Sequence, residues 1–133
     1  MNEKENKKNQ IERNSFELEG NVASFNEIYT GMNGKSVLRF DLAQNYKENL
    51  EYIPIVLKGN LAKTYGEKIK VGDWLNVKGK ISSYIVEKGE DDKKFKRKVI
   101  EIIGFELTDK NKKLVYKYDG SINEMERENG KGR

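Results

Sequence analysis

Apolar and polar residues alternate over five stretches of the chain, and a helix-like apolar stripe interrupts that alternation once. Phe16, Leu18, Gly20 and Val22 share one parity with polar or small residues on the other, the period-two pattern of a half-buried strand. Gly20 in its middle suits the sharp bend of a barrel corner. Asn33-Gly34 follows, and because both residues tolerate positive φ the pair predicts a hairpin turn. The second strand is Ser36–Ala43, with Leu38, Phe40 and Leu42 inward and Arg39 and Asp41 outward. Residues 44–50 read as a polar loop containing Tyr46. In the third strand, Tyr52–Leu57, residues Ile53, Ile55 and Leu57 suit the core, while Tyr52, Pro54, Val56 and Lys58 share the outer face. Pro54 cannot donate to a ladder and marks an edge or a bulge.

Asn60 is placed to cap a helix that runs to Ile69. Leu61, Tyr65 and Ile69 recur every four residues and form one stripe able to plug a barrel end, although Gly66 weakens the helix. Val71-Gly72-Asp73 turns the chain into a fourth strand, Trp74–Val86, with Leu75, Val77, Ile81 and Ile85 inward. Lys88–Lys94 is a polar loop, and the fifth strand runs from Phe95 to Leu107. The predicted class is therefore all-β, a five-stranded barrel with one short helix between strands 3 and 4. That order is the OB fold, a partly open Greek-key barrel whose face and flanking loops bind oligonucleotides or oligosaccharides.

Composition narrows the chemistry. With 133 residues there is room for one domain. The apolar runs fall within residues 15–108, predicted to be the nucleic-acid-binding domain. Residues 1–14, with Ile11 as the large apolar residue besides Met1, read as a flexible N-terminal arm, and residues 109–133 as a polar, mostly flexible C-terminal tail. The net charge of +4 is small, so placement matters more: Lys93, Lys94, Lys96, Arg97 and Lys98 crowd one short stretch. Such a patch attracts a polyanion, and its competing reading is a solvated face. The chain has no histidine and no cysteine, which removes the commonest general base, thiol nucleophiles and thiolate metal sites. Phosphate-loop and GxSxG signatures are missing too, so neither an enzyme, a cofactor nor a metal is expected. The first residues lack the apolar stretch of a signal peptide and no run approaches membrane-spanning length, which predicts a cytoplasmic protein without a membrane partner.

Four stretches, in order and spacing, resemble the bacterial and phage single-stranded DNA-binding protein family over residues 15–108. They are Leu18-Glu19-Gly20-Asn21-Val22, then Phe40-Asp41-Leu42-Ala43, then Glu51-Tyr52 with Ile55 to Ala62, and finally Val71-Gly72-Asp73-Trp74 through Ile81. The resemblance implies single-stranded DNA bound by base stacking on aromatic rings, with lysines and arginines following the phosphates. It puts Tyr52 at a base-stacking position and Tyr46 near another. The family aromatic of the fourth strand matches Val86, two positions beyond Tyr84, which shares its face and can substitute. Lys58 stands where the family has a further aromatic, exchanging a stack for a phosphate contact.

Arg39, Lys80, Lys94, Phe95, Lys96 and Arg97 complete the candidate interface, Phe95 by interleaving with the basic cluster of a loop that OB folds often use. For Tyr52, Tyr46 and Tyr84 the competing reading is a surface tyrosine. Phe40 alternates with core leucines and belongs to the core. Trp74 suits either a base or a subunit contact. The chain ends in Glu128-Asn129-Gly130-Lys131-Gly132-Arg133 instead of the acidic tip of housekeeping relatives, which points to an accessory protein in plasmid or phage DNA replication, transfer (conjugation) or protection. RNA is an alternative ligand, because only 2′-hydroxyl readout separates it from DNA. An OB scaffold for protein–protein assembly is another. A homo-oligomer is expected, with the N-terminal arm a candidate for lying across a neighbouring subunit.

Overall fold

A computed structural model describes residues 13–89 and 94–125. Its strands are β1 (Phe16–Phe25), β2 (Tyr29–Thr30), β3 (Ser36–Tyr46), β4 (Asn49–Lys58), β5 (Trp74–Lys88), β6 (Phe95–Asp109), β7 (Leu114–Lys117) and β8 (Ile122–Glu124), with one helix, α1 (Gly59–Gly66), between β4 and β5. Antiparallel ladders join β1 to β3, β3 to β4, β5 to β6 and β1 to β5. A single parallel pair, Val56 with Ile103, joins β4 to β6 and closes five strands into the expected barrel. A hairpin turn forms at this place, but of the pair Asn33-Gly34 only Gly34 takes positive φ, 81°: its N–H donates to the Gly31 carbonyl, which makes Met32 and Asn33 the central residues, and the Asn33 side chain accepts from the Lys35 N–H.

The barrel interior is apolar. Val22, Leu38, Phe40, Leu42, Ile55, Leu57, Leu75, Val77 and Leu107 are all buried in it. Leu61 and Tyr65 of α1, with Ile69 just beyond the helix, plug one end. The rings of Phe40, Tyr65 and Tyr116 meet edge to face there, with centroids 6.2 Å and 5.2 Å apart. The Tyr65 hydroxyl donates to Asp73 at 2.6 Å, whereas the buried Tyr116 hydroxyl has no partner among the described residues. Burial, reinforced by the neighbouring carboxylates of Asp73 and Asp109, raises the pKa of both phenols above the ordinary tyrosine value.

Five expectations change. Asn60 does not cap the helix: α1 starts one residue earlier at Gly59, whose φ of 66° turns the chain out of β4, and it stops at Gly66. Ile69 nevertheless stays buried beyond it. Residues 44–50 are not a loop, since β3 and β4 stay paired to Tyr46–Asn49 and reverse tightly through Lys47, at φ 57°, and Glu48. A polar ribbon that outruns the barrel looks like a loop in sequence because neither face meets the core.

Ile81 and Ile85 are not inward but 47% and 59% exposed. The β5–β6 register shifts at Lys78/Gly79, where Phe105 is the extra residue; β6 still meets β4 at Ile103, and past that pair the two strands leave the barrel as a free ribbon. The crossing is tight: a Cβ on Gly79 would run into the Ile103 carbonyl. Pro54 lies where β4 has β3 on one side and meets β6 only at Val56, which suits its missing N–H.

The domain also continues past residue 108. The stretch predicted as a flexible tail contains β7 and β8, and β7 delivers Tyr116 to the core. With four residues, β7 is too short to announce itself by alternation. At the other end, Asn14 of the expected arm is tied to β5: its amide donates to the Ile81 carbonyl and accepts from the Ile81 N–H. Residues 1–12 of that arm, and residues 126–133 of the expected tail, lie outside the described residues.

Candidate nucleic-acid interface

Ladder registers decide which side chains share a face, because paired residues point the same way and neighbours along a strand point oppositely. With Leu38, Phe40 and Leu42 inside, β3 turns Val37, Arg39, Asp41 and Ala43 outward. Their partners on β4 are Lys58, Val56, Pro54 and Tyr52. The Val56–Ile103 pair carries this exterior face onto β6, and the β5–β6 ladder continues it through Lys80–Ile103, Ser82–Glu101, Tyr84–Val99, Val86–Arg97 and Lys88–Phe95. Tyr52, Tyr84, Arg39, Lys58, Lys80, Phe95 and Arg97 therefore lie on one exterior surface. Tyr52 is 56% exposed and Tyr84 43%. Phe40 is in the core as expected, 2% exposed.

Three sequence candidates are placed differently. Tyr46 has the parity of Phe40 and Leu42, so it leaves the opposite side of the β3–β4 ribbon from Tyr52, with the Lys47 ammonium 5.5 Å from its ring centroid. Lys96 pairs with Glu87 and Lys98 with Ile85, on the reverse of the β5–β6 ribbon. The basic cluster is thus divided between two faces by strand alternation. Lys94 is exposed just before β6, next to residues 90–93, and Lys93 lies outside the described residues. Trp74 is outward, but its indole N–H donates to Glu19 at 2.9 Å and the Lys110 ammonium lies 5.3 Å from its ring centroid. Its polar edge and one face already have partners.

Tyr29 escaped the sequence reading. It is 65% exposed, and β2 pairs it with Val37 on the same exterior face, one strand from Arg39. A strand of two residues gives no alternation to read, so the turn signal at Asn33-Gly34 was the available clue. A cleft of about 240 Å³ lies between the end of β1 and the middle of β3 and β4, lined by Ser24, Asn26, Arg39, Asp41, Pro54 and Val56. Glu101 was not singled out either. It is 6% exposed on this face, held by the Lys58 ammonium at 3.0 Å and the Arg39 guanidinium at 3.5 Å. Among the described residues, no group of histidine, cysteine, aspartate and glutamate is arranged to hold a metal, and no helix is long and apolar enough to cross a membrane.

Against known proteins, the model of the single-strand binding protein family matches residues 13–106. The chain belongs to that family. The match runs from just before β1 to Glu106 in β6 and so takes in most of the barrel and its ribbon. A search of curated proteins gives no match. Among solved structures, the mitochondrial single-stranded DNA-binding protein Rim1 of S. cerevisiae is similar, with a TM-score of 0.56 at 15% identity, covering 74% of this chain and 95% of that one. At that identity the likeness is one of fold, and it agrees with the barrel described above. The family resemblance seen in Leu18–Val22, Phe40–Ala43, Glu51–Ala62 and Val71–Ile81 thus extends over a closed OB barrel.

Proposed function

We propose that this protein binds single-stranded DNA without sequence preference, as a non-enzymatic OB-fold member of the single-strand binding protein family, by stacking bases on exposed tyrosines and pairing phosphates with flanking cations. The observation that carries this reading is the shared exterior face: Tyr29, Tyr52 and Tyr84 stand across it, with Arg39, Lys58, Lys80 and Arg97 between and beside them. A tyrosine ring offers its π-face to any base, at about 1–3 kcal/mol per stacked base, which is why such a surface tolerates sequence. Phe95 extends the face along the ribbon, and Lys94 precedes it in the chain. Tyr46 and Lys96, being on reverse sides of their ribbons, contribute only through a strand that wraps around an edge. Plasmid or phage DNA replication, transfer or protection is the setting inferred for this activity, on the sequence resemblance alone.

The test is a titration of labelled oligo-dT, oligo-U and a duplex of equal length at two salt concentrations. Oligo-dT should bind at micromolar protein or below, more tightly than duplex, with affinity falling as salt rises. No binding at low salt rejects the reading, and tighter binding of oligo-U makes RNA the ligand. A second surface supports self-association: Ile81, Ile85 and Ile100 are exposed together on the reverse of the β5–β6 ribbon. We read it as a contact between copies in a homo-oligomer, and light scattering that returns the monomer mass at working concentration excludes it.

A further inference from the structure

A carboxylate at the centre of a phosphate-binding face works against its own ligand. Glu101 is such a group. It lies on β6 beside the Val56–Ile103 pair, with its side chain 6% exposed, and points to the face that carries Tyr29, Tyr52 and Tyr84. Burial of a carboxylate is tolerated where cations and hydrogen bonds compensate it. Here the Lys58 ammonium, at 3.0 Å, and the Arg39 guanidinium, at 3.5 Å, supply both. Each cation keeps about half of its side chain in solvent, 48% for Lys58 and 53% for Arg39, so N–H groups remain to be offered outward. Two positive charges and one negative charge are thereby locked together in the middle of the interface.

We propose that Glu101 is a specificity-determining residue: a built-in counter-charge that positions Arg39 and Lys58 while cancelling part of their pull on phosphate. Contacts to phosphate alone then bind weakly, and stacking on the tyrosines must supply the rest. A single strand can present bases to those rings. A duplex keeps its bases stacked inside and offers mainly phosphates, so the counter-charge discriminates against it. This inference rests on the single-strand reading above and assigns the source of its selectivity.

Glu101→Gln removes the charge and keeps the size. Both stranded cations are half in water, so the variant is expected to fold, and circular dichroism checks that. Its affinity for a duplex should rise about three- to ten-fold at low salt, the order for deleting one like charge near a phosphate at a half-exposed site. The duplex salt slope should steepen by about 0.9, equivalent to one more neutralised phosphate. Oligo-dT should gain less, because the freed cations must now be ordered on binding and stacking is unchanged, so the preference for single strands narrows. Adding Arg39→Gln restores the net charge and should return duplex affinity to the wild-type level. Glu101→Asp, which keeps the charge, should stay close to wild type and separates charge from packing. Unchanged or weaker duplex binding by folded Glu101→Gln overturns the role of Glu101 while leaving the single-strand reading intact. A wild-type protein that binds oligo-dT no better than duplex overturns both.

Discussion

At the scale of single residues, alternation separates aromatics that composition treats alike. Tyr52 and Phe40 lie on adjacent paired strands, one outward and one inward. Tyr52→Ala should cost about 1–3 kcal/mol in oligo-dT binding with little change in melting temperature. Phe40→Ala should instead destabilise the fold by about 3–5 kcal/mol, the usual cost of emptying a core aromatic site. Tyr46→Ala, on the reverse face, should do neither. Binding isotherms and thermal melts on the three variants decide the register, and a binding loss at Tyr46 equal to that at Tyr52 would show the strand path to be wrong.

The two core phenols differ in the same way. Tyr65→Phe deletes a hydrogen bond to a carboxylate and should cost about 1.5–3 kcal/mol, while Tyr116→Phe removes a hydroxyl that has no partner among the described residues and should be neutral or slightly stabilising. Both phenols have raised pKa values in the folded state. The unfolded chain therefore loses these protons near pH 10, where the folded protein still holds them, and the stability that the two phenols contribute should be constant below that pH and fall above it. Melts from pH 8 to 11 should show a shallower alkaline fall in Tyr65→Phe than in wild type.

At the scale of elements, what was legible followed from contact with the core. β1, β3, β4 and the barrel part of β5 each present one face to the interior, so their apolar residues alternate and could be read directly. The ribbon ends did not satisfy that condition: residues 44–50 touch no core and mimic a loop. In β5 the parity of Leu75 and Val77 continues unbroken to Ile81 and Ile85, because the extra residue is Phe105 on β6, but the departure of the ribbon puts those two in solvent. The candidate site was legible to the same extent, complete where a strand lies on the barrel (Arg39, Tyr52, Lys58) and divided where the basic cluster enters the ribbon. β7 is the clearest omission. Its Tyr116 is fully buried against Tyr65 and its Leu114 packs on the core, so a chain ending at Lys110 should lose about 3–5 kcal/mol or more. A truncated protein that melts with the full chain would show β7 and β8 to be ornaments.

At the scale of the whole molecule, charge is distributed by geometry and not by sequence proximity. Arg97 faces the tyrosines, while Lys98, its neighbour, is on the other side of the ribbon. Arg97→Gln should flatten the salt dependence of oligo-dT binding by about 0.7 in slope, and Lys98→Gln should leave it almost unchanged. Equal effects would mean that the strand contacts both sides of the ribbon. The closure of the barrel adds a last consequence. Four of its five seams are long ladders, but β4 meets β6 through one backbone pair, Val56–Ile103. Across that seam Glu101 also holds Arg39 and Lys58, beside the packing of Ile55 and Leu57 against Gly104. The barrel should therefore breathe there first, with amides beside the seam exchanging through a local opening instead of global unfolding. Because the carboxylate of that clasp is buried, dissolved salt screens it far less than it screens the exposed contacts to phosphate, so the latch of the fold should hold at ionic strengths where the strand has already let go.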